Sequence, residues 1–370
     1  VVDDSALMRK LIPAILARDS SIEVVGTAMD GAFALKKIEE LRPDVVTLDL
    51  EMPRMDGLEM LRLIMRRAPL PVILFSTHSK KGGYATLKAL ALGAVDFLAK
   101  PKDAAAGLEE IADQLIAKIK VAKRAAKRKL PPVTVKEELP KLAKASRPAL
   151  APRRVIAVGI STGGPNALQY VLSQIPSDFL STIVVVQHMP EGFTEMFAKR
   201  LDECCPLEVQ EARSGDLLLA GRVLICPGNR HMMVRRMPRG DMVVLSDGPP
   251  VNGHRPSADV LFHSVAQEFS LMSVGVLMTG MGEDGAEGLG AIKAAGGMTI
   301  AQSEDTCVVS GMPRAAILKG YANKVIPLEG LGTFLANHYG AEKNSAEKDL
   351  GEKVEKDDKP ERTPVSSHRS

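Results

Sequence analysis

The sequence predicts an α/β protein built from two open, mainly parallel sheets, the second interrupted by an antiparallel hairpin. Three observations predict it. From Val1 to about Lys100, short β-rich runs alternate with amphipathic stretches of helical period. The same alternation resumes at Arg154, and between the two regions lies a proline- and lysine-rich stretch without apolar periodicity. A chain of 370 residues, 45% of them apolar, has room for two or three separate cores.

In the first region the β-rich runs are "VV", "EVVGTA", "DVVTLDL", "PVILFST" and "DFLAK". Between them Leu7, Met8, Leu11, Ile12, Ile15 and Leu16 recur at helical spacing, as do Leu58, Leu61, Ile64 and Met65. Five such βα units predict an open parallel sheet with helices on both faces, and Pro13 predicts a kink in the first helix. The last helix enters "KIKVAKRAAKRK", basic from Lys118 to Lys129 and read as a solvated helix end. The expected division is a first domain over 1–120, a linker over 121–152, a second domain over 153–340 and a charged, disordered tail over 341–370. Strands of the second domain read "VIAVGIS", "STIVVVQHM", "LMSVGVLMTG", "MTIAQSE" and "KVIPLE", while "RVLICPGNRHMMVRR" and "GDMVVLSDGP" read as the hairpin excursion.

Net charge is only +3, from 48 basic and 45 acidic residues, which argues against a nucleic-acid partner. Cys204, Cys205, Cys226 and Cys307 have neither zinc-site spacing nor disulfide-scaffold density and read as reduced thiols of a cytoplasmic protein. There is no apolar run of the ~20 residues a membrane helix needs and no secretory leader, so the protein is not expected to be membrane-embedded. The chain starts at Val1 inside a strand-like run, so a few leading residues are expected to be missing.

Asp3 and Asp4 close the first run and Asp49 closes the third, in "VVTLDLEMPRMDG". Ligands of a doubly wound sheet collect at the carboxyl ends of its strands, where these carboxylates would converge. Their mutual repulsion calls for a cation, and Mg²⁺ is hard and oxygen-seeking. Ser76 and Lys100 close the fourth and fifth runs, adding a hydroxyl and an ammonium around a phosphoryl group on an aspartate. "VDDSALMR", "LDLEMPRMDG" and "DFLAKP" resemble the receiver domain of bacterial response regulators over the first ~120 residues, which implies a flavodoxin-like fold. The resemblance implies Asp49 as phosphoacceptor, Asp4 and Asp49 as Mg²⁺ ligands and Asp3 acting through water. It also implies Ser76 on the phosphoryl oxygens, Lys100 as paired cation and Phe97 as aromatic switch.

In the second domain, "GISTG" fits the glycine-serine-glycine elbow of a nucleophile, with Gly159 and Gly163 allowing the turn and Ser161 at its apex. A phosphate loop fits less well, since no lysine follows the glycines. A serine nucleophile requires a base and an orienting acid. His188 ends the next apolar strand and is the favoured base; His231 and His254 are loop candidates, and His263 belongs to an amphipathic helix as packing. Asp284 lies just beyond another strand in "TGMGEDG", as the acid or as the N-cap of the following helix. The order Ser161, His188, Asp284 differs from serine, acid, histidine in α/β-hydrolases.

"GISTGGP", "QHMPEGFTEMFAKRL", "RPSADVLF", "TGMGEDG" and "AQSEDTCVVSGMPRAA" resemble the catalytic domain of chemotaxis protein-glutamate methylesterases, from Arg154 to Leu335. The resemblance implies hydrolysis of receptor glutamate methyl esters to glutamate and methanol, with deamidation of glutamines in some members and no cofactor in the esterase site. It implies Ser161 as nucleophile, His188 as base, Asp284 as orienting acid, Met281 with main-chain amides after Ser161 as oxyanion donors, and Thr162 lining the pocket. Ser310 stands where the family usually carries an aromatic residue. Implied partners are methylated chemoreceptor cytoplasmic helices and a chemotaxis histidine kinase as phosphodonor, with the unphosphorylated receiver covering the Ser161 cleft. The competing reading is a response regulator whose second domain only binds a ligand or partner; no helix-turn-helix pattern supports it.

Overall fold

The computed structural model describes residues 1–53, 55–77, 79–100, 111–125 and 150–340. In the first unit β1 (Val46–Asp49), β2 (Val72–Ser76) and β3 (Asp96–Ala99) pair in parallel in that order. The runs "VV" and "EVVGTA" do not form full strands; Val2 makes single parallel bridges to Ala28 on one side and Leu48 on the other. The sheet is thereby extended past β1 by the first run and then the second, the reversal of order that defines a doubly wound sheet. Every residue of β1 and β2 is buried, as strands covered on both faces must be.

Helices α1 (Ala6–Leu16) and α5 (Ala112–Ala125) share one apolar cluster with Ile73 and Phe75 of β2. On the other face, α2 (Gly31–Leu41), α3 (Gly57–Arg67) and α4 (Lys80–Ala91) enclose Leu48, Met60, Leu61 and Leu74. Helix α1 starts at Ser5, whose hydroxyl accepts from the Met8 amide, and its helical assignment runs through Pro13 without a break. The described part of the basic run lies on α5, where Lys118, Lys120 and Lys123 pair with Asp96, Asp19 and Asp44. Residues 126–149 of the expected linker, and the expected tail over 341–370, lie outside the described residues.

The second unit holds a seven-stranded sheet of order β12-β11-β10-β4-β5-β7-β6. Its strands are β4 (Val155–Ile160), β5 (Thr182–Gln187), β6 (Glu208–Glu211), β7 (Arg222–Ile225), β10 (Ser273–Leu277), β11 (Met298–Gln302) and β12 (Lys324–Ile326), all parallel. The separate antiparallel pair is β8 (His231–Arg235) with β9 (Met242–Ser246). The expected hairpin therefore divides differently: "RVLI" joins the parallel sheet between β5 and β6. Strand β6 was not anticipated because only Val209 of its four residues is buried, as suits a strand at the sheet edge. Helices α6 (Gly164–Ser173), α7 (Phe193–Cys204), α8 (Ala258–Phe269), α9 (Ala286–Ala294), α10 (Gly311–Leu318) and α11 (Leu328–Tyr339) cover the sheet. Among the described residues no helix is long and apolar enough to cross a membrane, and no disulfide joins the four cysteines.

Strand order reverses at β4, which runs between β5 and β10, so the crevice for a ligand lies beyond the carboxyl end of β4. Gly159 sits inside β4 rather than in the turn. A Cβ there would lie 2.8 Å from Ala258 Cβ, 3.0 Å from Leu277 Cδ1 and 3.2 Å from Phe262 Cζ, so its missing side chain admits α8 against the strand. The turn itself depends on Gly163, at φ +77°. Replacing Gly159 with Val would overpack this contact, and denaturant unfolding should show a loss of about 1–3 kcal/mol. A variant as stable as the wild type would mean that α8 does not need this close approach.

Candidate active site

Ser161 and His188 are the first residues beyond β4 and β5, whose register pairs Ile160 with Gln187. The ladder continues one step past the strands, because His188 N donates to Ile160 O at 3.0 Å and Ser161 N to Thr279 O at 3.0 Å. Gln187 Nε2 ties the two positions together, donating to the carbonyls of Ser161 at 3.0 Å and His188 at 3.2 Å. Neighbouring strands are about 4.8 Å apart, so a serine and a histidine at adjacent strand ends share one rim.

Asp284 comes from the glycine-rich turn after β10 and is 1% exposed. Its Oδ2 accepts from His188 Nε2 at 2.9 Å and from the Ala258 amide at 2.6 Å, while Oδ1 accepts from the Ser257 hydroxyl at 2.6 Å and Asn252 Nδ2 at 3.2 Å. Asp284 thus sits at the N-terminus of α8 and does not cap α9, whose N-cap is Gly285. Burial pushes its carboxyl up, but the His188 bond and field, the Ser257 hydroxyl and the Ala258 amide overcome this and hold it at about 2. Since the carboxylate only accepts, His188 carries its proton on Nε2 and keeps a lone pair on Nδ1, which is buried without a partner. Serine proteases use the two nitrogens the other way round.

The expected meeting of three side chains is formed on one side only. His188 and Asp284 are bonded, whereas the Ser161 hydroxyl has no hydrogen bond to His188 among the described residues. The backbone register nonetheless makes the two residues neighbours.

Thr162 is buried, and its hydroxyl donates to Asp96 Oδ2 of the first unit at 2.6 Å instead of facing an open pocket. Met281 follows Gly280, where a Cβ would lie 2.9 Å from Ser161 Cβ and 2.1 Å from Met312 Sδ. That crowding brings the Met281 turn against the serine. The amides of Thr162 and Met281 have no acceptor among the described residues, the condition of donors that receive a developing oxyanion. Ser310 forms a bridge with Gly280 and precedes α10.

The other histidines fall differently from expectation. His231 begins β8 and is buried, with Nε2 on Pro249 O at 3.0 Å and Nδ1 accepting from Ser257 N at 3.2 Å, so it supports the turn that holds Asp284. His263 is exposed on α8 and is not packing. His254 stacks on His188, with ring centroids 3.9 Å apart and planes 13° from parallel. Neither this stack nor the Asn252 bond to Asp284 has a signal in the sequence beyond the turn-forming "NG".

In the first unit, ligand oxygens of Asp3, Asp4 and Asp49 lie within 4.8 Å of one another. Lys100 Nζ is 2.5 Å from Asp49 Oδ2 and 3.1 Å from Asp3 Oδ2. Burial pushes the Asp49 carboxyl up, Lys100 opposes this and Asp3 adds to it. Asp3 Oδ2 is buried with no hydrogen bond beyond its ion pair, and Asp4 is exposed, so this all-oxygen set fits a hard divalent cation open to water on one side. Ser76 is turned away from it: its hydroxyl donates to Gly82 O at 3.1 Å and accepts from Thr86 Oγ1 at 2.5 Å. That buried network satisfies the hydroxyl without a phosphoryl group, so the expected contact requires Ser76 to rotate.

The two units meet beside the Ser161 rim. Phe97 is buried with its ring 4.8 Å from Phe193 at the start of α7, and Leu87, Leu90 and Phe97 share a cluster with Ile160, Phe193 and Phe197. Asn166 Nδ2 of α6 donates to Leu90 O at 2.7 Å. Asp96 accepts from both Thr162 and Lys118.

The CheB methylesterase family model matches residues 156–335 and the response regulator receiver domain model matches residues 1–112. The chain is 62% identical over 352 residues to a protein-glutamate methylesterase/protein-glutamine glutaminase 2 from Koribacter versatilis, covering 94% of this chain and 97% of that one. It is 46% identical over 351 residues to a protein-glutamate methylesterase/protein-glutamine glutaminase from Symbiobacterium thermophilum, covering 92% and 96%. Among solved structures, the CheB methylesterase catalytic domain of Thermotoga maritima is 37% identical with a TM-score of 0.49, over 50% of this chain and 97% of that chain. The response regulator domain of Thermotoga maritima CheB is 43% identical with a TM-score of 0.32, over 33% and 92%.

The lowered pKa of Asp284 predicts a pH dependence of stability. Its folded value of about 2 lies below the ordinary aspartate value of 3.8, so its contribution is complete above about pH 4 and is lost as pH falls towards 2. The difference amounts to about 2 kcal/mol. Chemical unfolding between pH 5 and pH 2 should show wild type losing this much more than Asp284→Asn; parallel losses would mean that the carboxylate is not held ionised by the fold.

Proposed function

The chain belongs to the CheB methylesterase family with an N-terminal receiver domain, and from that premise we propose that Ser161, His188 and Asp284 perform its chemistry. The protein is a chemotaxis response regulator and a hydrolase of the protein-glutamate methylesterase/protein-glutamine glutaminase type. The observation that carries the assignment is the His188 Nε2 to Asp284 bond, which leaves Nδ1 open beside the strand end bearing Ser161. We assign the receiver to 1–120 and the catalytic domain to 153–340, joined by 121–152 and followed by a tail over 341–370.

Ser161 Oγ attacks the glutamate methyl ester carbonyl while His188 Nδ1 takes its proton. The oxygen that becomes negative is received by the amides of Thr162 and Met281, each such donor contributing about 3 kcal/mol to transition-state stabilisation. The imidazolium is stabilised by Asp284 and returns the proton to the departing methoxide, releasing methanol. Water then attacks the acyl-serine, giving its proton to Nδ1, and the glutamate carboxylate leaves as Ser161 is reprotonated. On a glutamine side chain the same sequence releases ammonia.

The receiver supplies control. Asp49 is the phosphoacceptor; Asp3, Asp4 and Asp49 would hold Mg²⁺, directly or through water, and the ion when bound would supply positive charge against the phosphoryl oxygens. Lys100 pairs with the phosphoryl oxygens, and Ser76 rotates from Gly82 towards them. The donor is a chemotaxis histidine kinase and the substrates are methylated cytoplasmic helices of chemoreceptors. Phe97 and Asp96 hold the receiver against the catalytic unit, so the Thr162 side of the cleft is closed to a receptor helix in this arrangement.

Methanol release from a methylated receptor fragment should fall at least ~10³-fold in Ser161→Ala. Equal release by both proteins would remove the serine from the mechanism. Asp49→Asn should hydrolyse at the basal rate and show no stimulation by a small phosphodonor, while a fragment over 153–340 should exceed the full chain without one. Stimulation that survives in Asp49→Asn places the phosphoacceptor elsewhere, and a fragment no faster than the full chain rules out occlusion by the receiver.

A further inference from the structure

The segment Val251–His254 is a two-residue hairpin turn. Val251 N donates to His254 O at 3.0 Å and His254 N to Val251 O at 2.9 Å, and the central residues Asn252 and Gly253 have φ of +52° and +75°. Two successive left-handed residues make a type I′ turn, for which Asn-Gly is the favoured pair. The turn is therefore stiff by local chemistry, and it faces the catalytic pair. Asn252 Nδ2 donates to Asp284 Oδ1 at 3.2 Å and to Asp259 Oδ2 at 2.7 Å, and the His254 ring lies parallel to His188 at 3.9 Å.

Resting on the assignment of Ser161, His188 and Asp284, we propose that this turn clamps the acid–base pair, with His254 as a positioning residue that fixes the plane of the His188 ring and Asn252 as its counterpart on Asp284. A hydrogen bond from Nε2 alone leaves an imidazole free to swing about that bond, which would carry the Nδ1 lone pair out of line with Ser161. A second ring packed flat on its face removes that freedom, and alignment of this kind is worth large factors in rate. His254 does not touch the reacting atoms.

The charge environment suits this role. Burial, then the neighbouring His188, lower His254 to about 4, with Lys118 of α5 adding in the same direction and Asp284 opposing. His254 is consequently neutral when the enzyme works, and its face can adjoin His188 without charge repulsion as that ring becomes an imidazolium. Held at about 4, His254 stays largely neutral across pH 5–9.

The test compares full-length wild type, His254→Ala, His254→Leu, His254→Phe and Ser161→Ala in methanol release from a methylated receptor fragment across pH 5–9. His254→Ala and the bulk-preserving His254→Leu should lose about tenfold in kcat with KM within about twofold, since alignment and not substrate binding is lost. His254→Phe restores a flat ring and should recover most of kcat. Wild-type kcat in both His254→Ala and His254→Leu, or a His254→Phe as slow as His254→Ala, would overturn the clamp. Retained activity in Ser161→Ala would instead overturn the triad on which the clamp rests.

Discussion

Asp284 must remain ionised while enclosed by protein, and the surroundings of the cleft are arranged around that requirement. An unpaired buried carboxylate takes up a proton, which would end its use as an acceptor for His188. Here the N-terminus of α8 supplies the Ala258 amide, the Ser257 hydroxyl adds a second donor and the Asn252 side chain a third. These contacts require α8 to press against β4, which the absent side chain of Gly159 allows. A Cβ at Gly288 would in turn lie 2.6 Å from Phe262 Cβ, so α9 also approaches α8 through a glycine. The small residues of this region serve electrostatics as well as packing, because they bring a helix end within hydrogen-bonding distance of a charge.

The same demand explains why the site is assembled from distant parts of the chain. A central parallel strand has neighbours on both sides, and at β4 these neighbours come from opposite ends of the domain sequence, 182–187 and 273–277. Residues just past three strand ends then share one rim with no long loop needed to join them. Ladder hydrogen bonds fix their order, and the turns beyond the strands only have to aim the side chains. This division leaves the loops around the rim free to vary, since the spacing at the strand ends is set by the sheet.

That division also explains what could be read from the sequence. Apolar runs ending in Ser161, His188 and a glycine-rich turn before Asp284 are local patterns, as are Asp3, Asp4, Asp49 and Lys100 at the ends of theirs. Strand β6 was missed because an edge strand lacks the continuous apolar run, and "RVLI" was misassigned because a hairpin and a crossover strand have the same short β-rich appearance. Val2 makes only single bridges, so strand propensity there exceeded the hydrogen bonding formed. The choice of nitrogen on His188, the stack with His254 and the bond from Thr162 to Asp96 are contacts between residues 66 or more positions apart or between side-chain faces. No periodicity records them. Gly159 was visible as a glycine, but its reason lay in a helix about a hundred residues downstream.

Strand β3 joins the acidic cluster of the receiver to the contact with the catalytic unit. Lys100, one residue past its carboxyl end, holds Asp3 and Asp49; Asp96, at its start, accepts from Thr162; and Phe97 packs on Phe193. The two ends are separated by four residues, or about 13 Å of extended chain. A hydrogen bond to a buried carboxylate contributes on the order of 1.5–3 kcal/mol, which corresponds to a shift of about ten- to a hundredfold between closed and open arrangements. On the proposed assignment, a phosphoryl group on Asp49 would recruit Lys100 and draw Ser76 from its present partners, changing the contacts of β3 and of α4 at one time. Both elements contact the catalytic unit, so on that assignment a change of local charge would reach the interface through packed backbone. For such a switch to work, the contacts that close the cleft must be individually modest, and those among the described residues include one carboxylate bond and one amide bond beside an apolar cluster that contains Phe97 and Phe193.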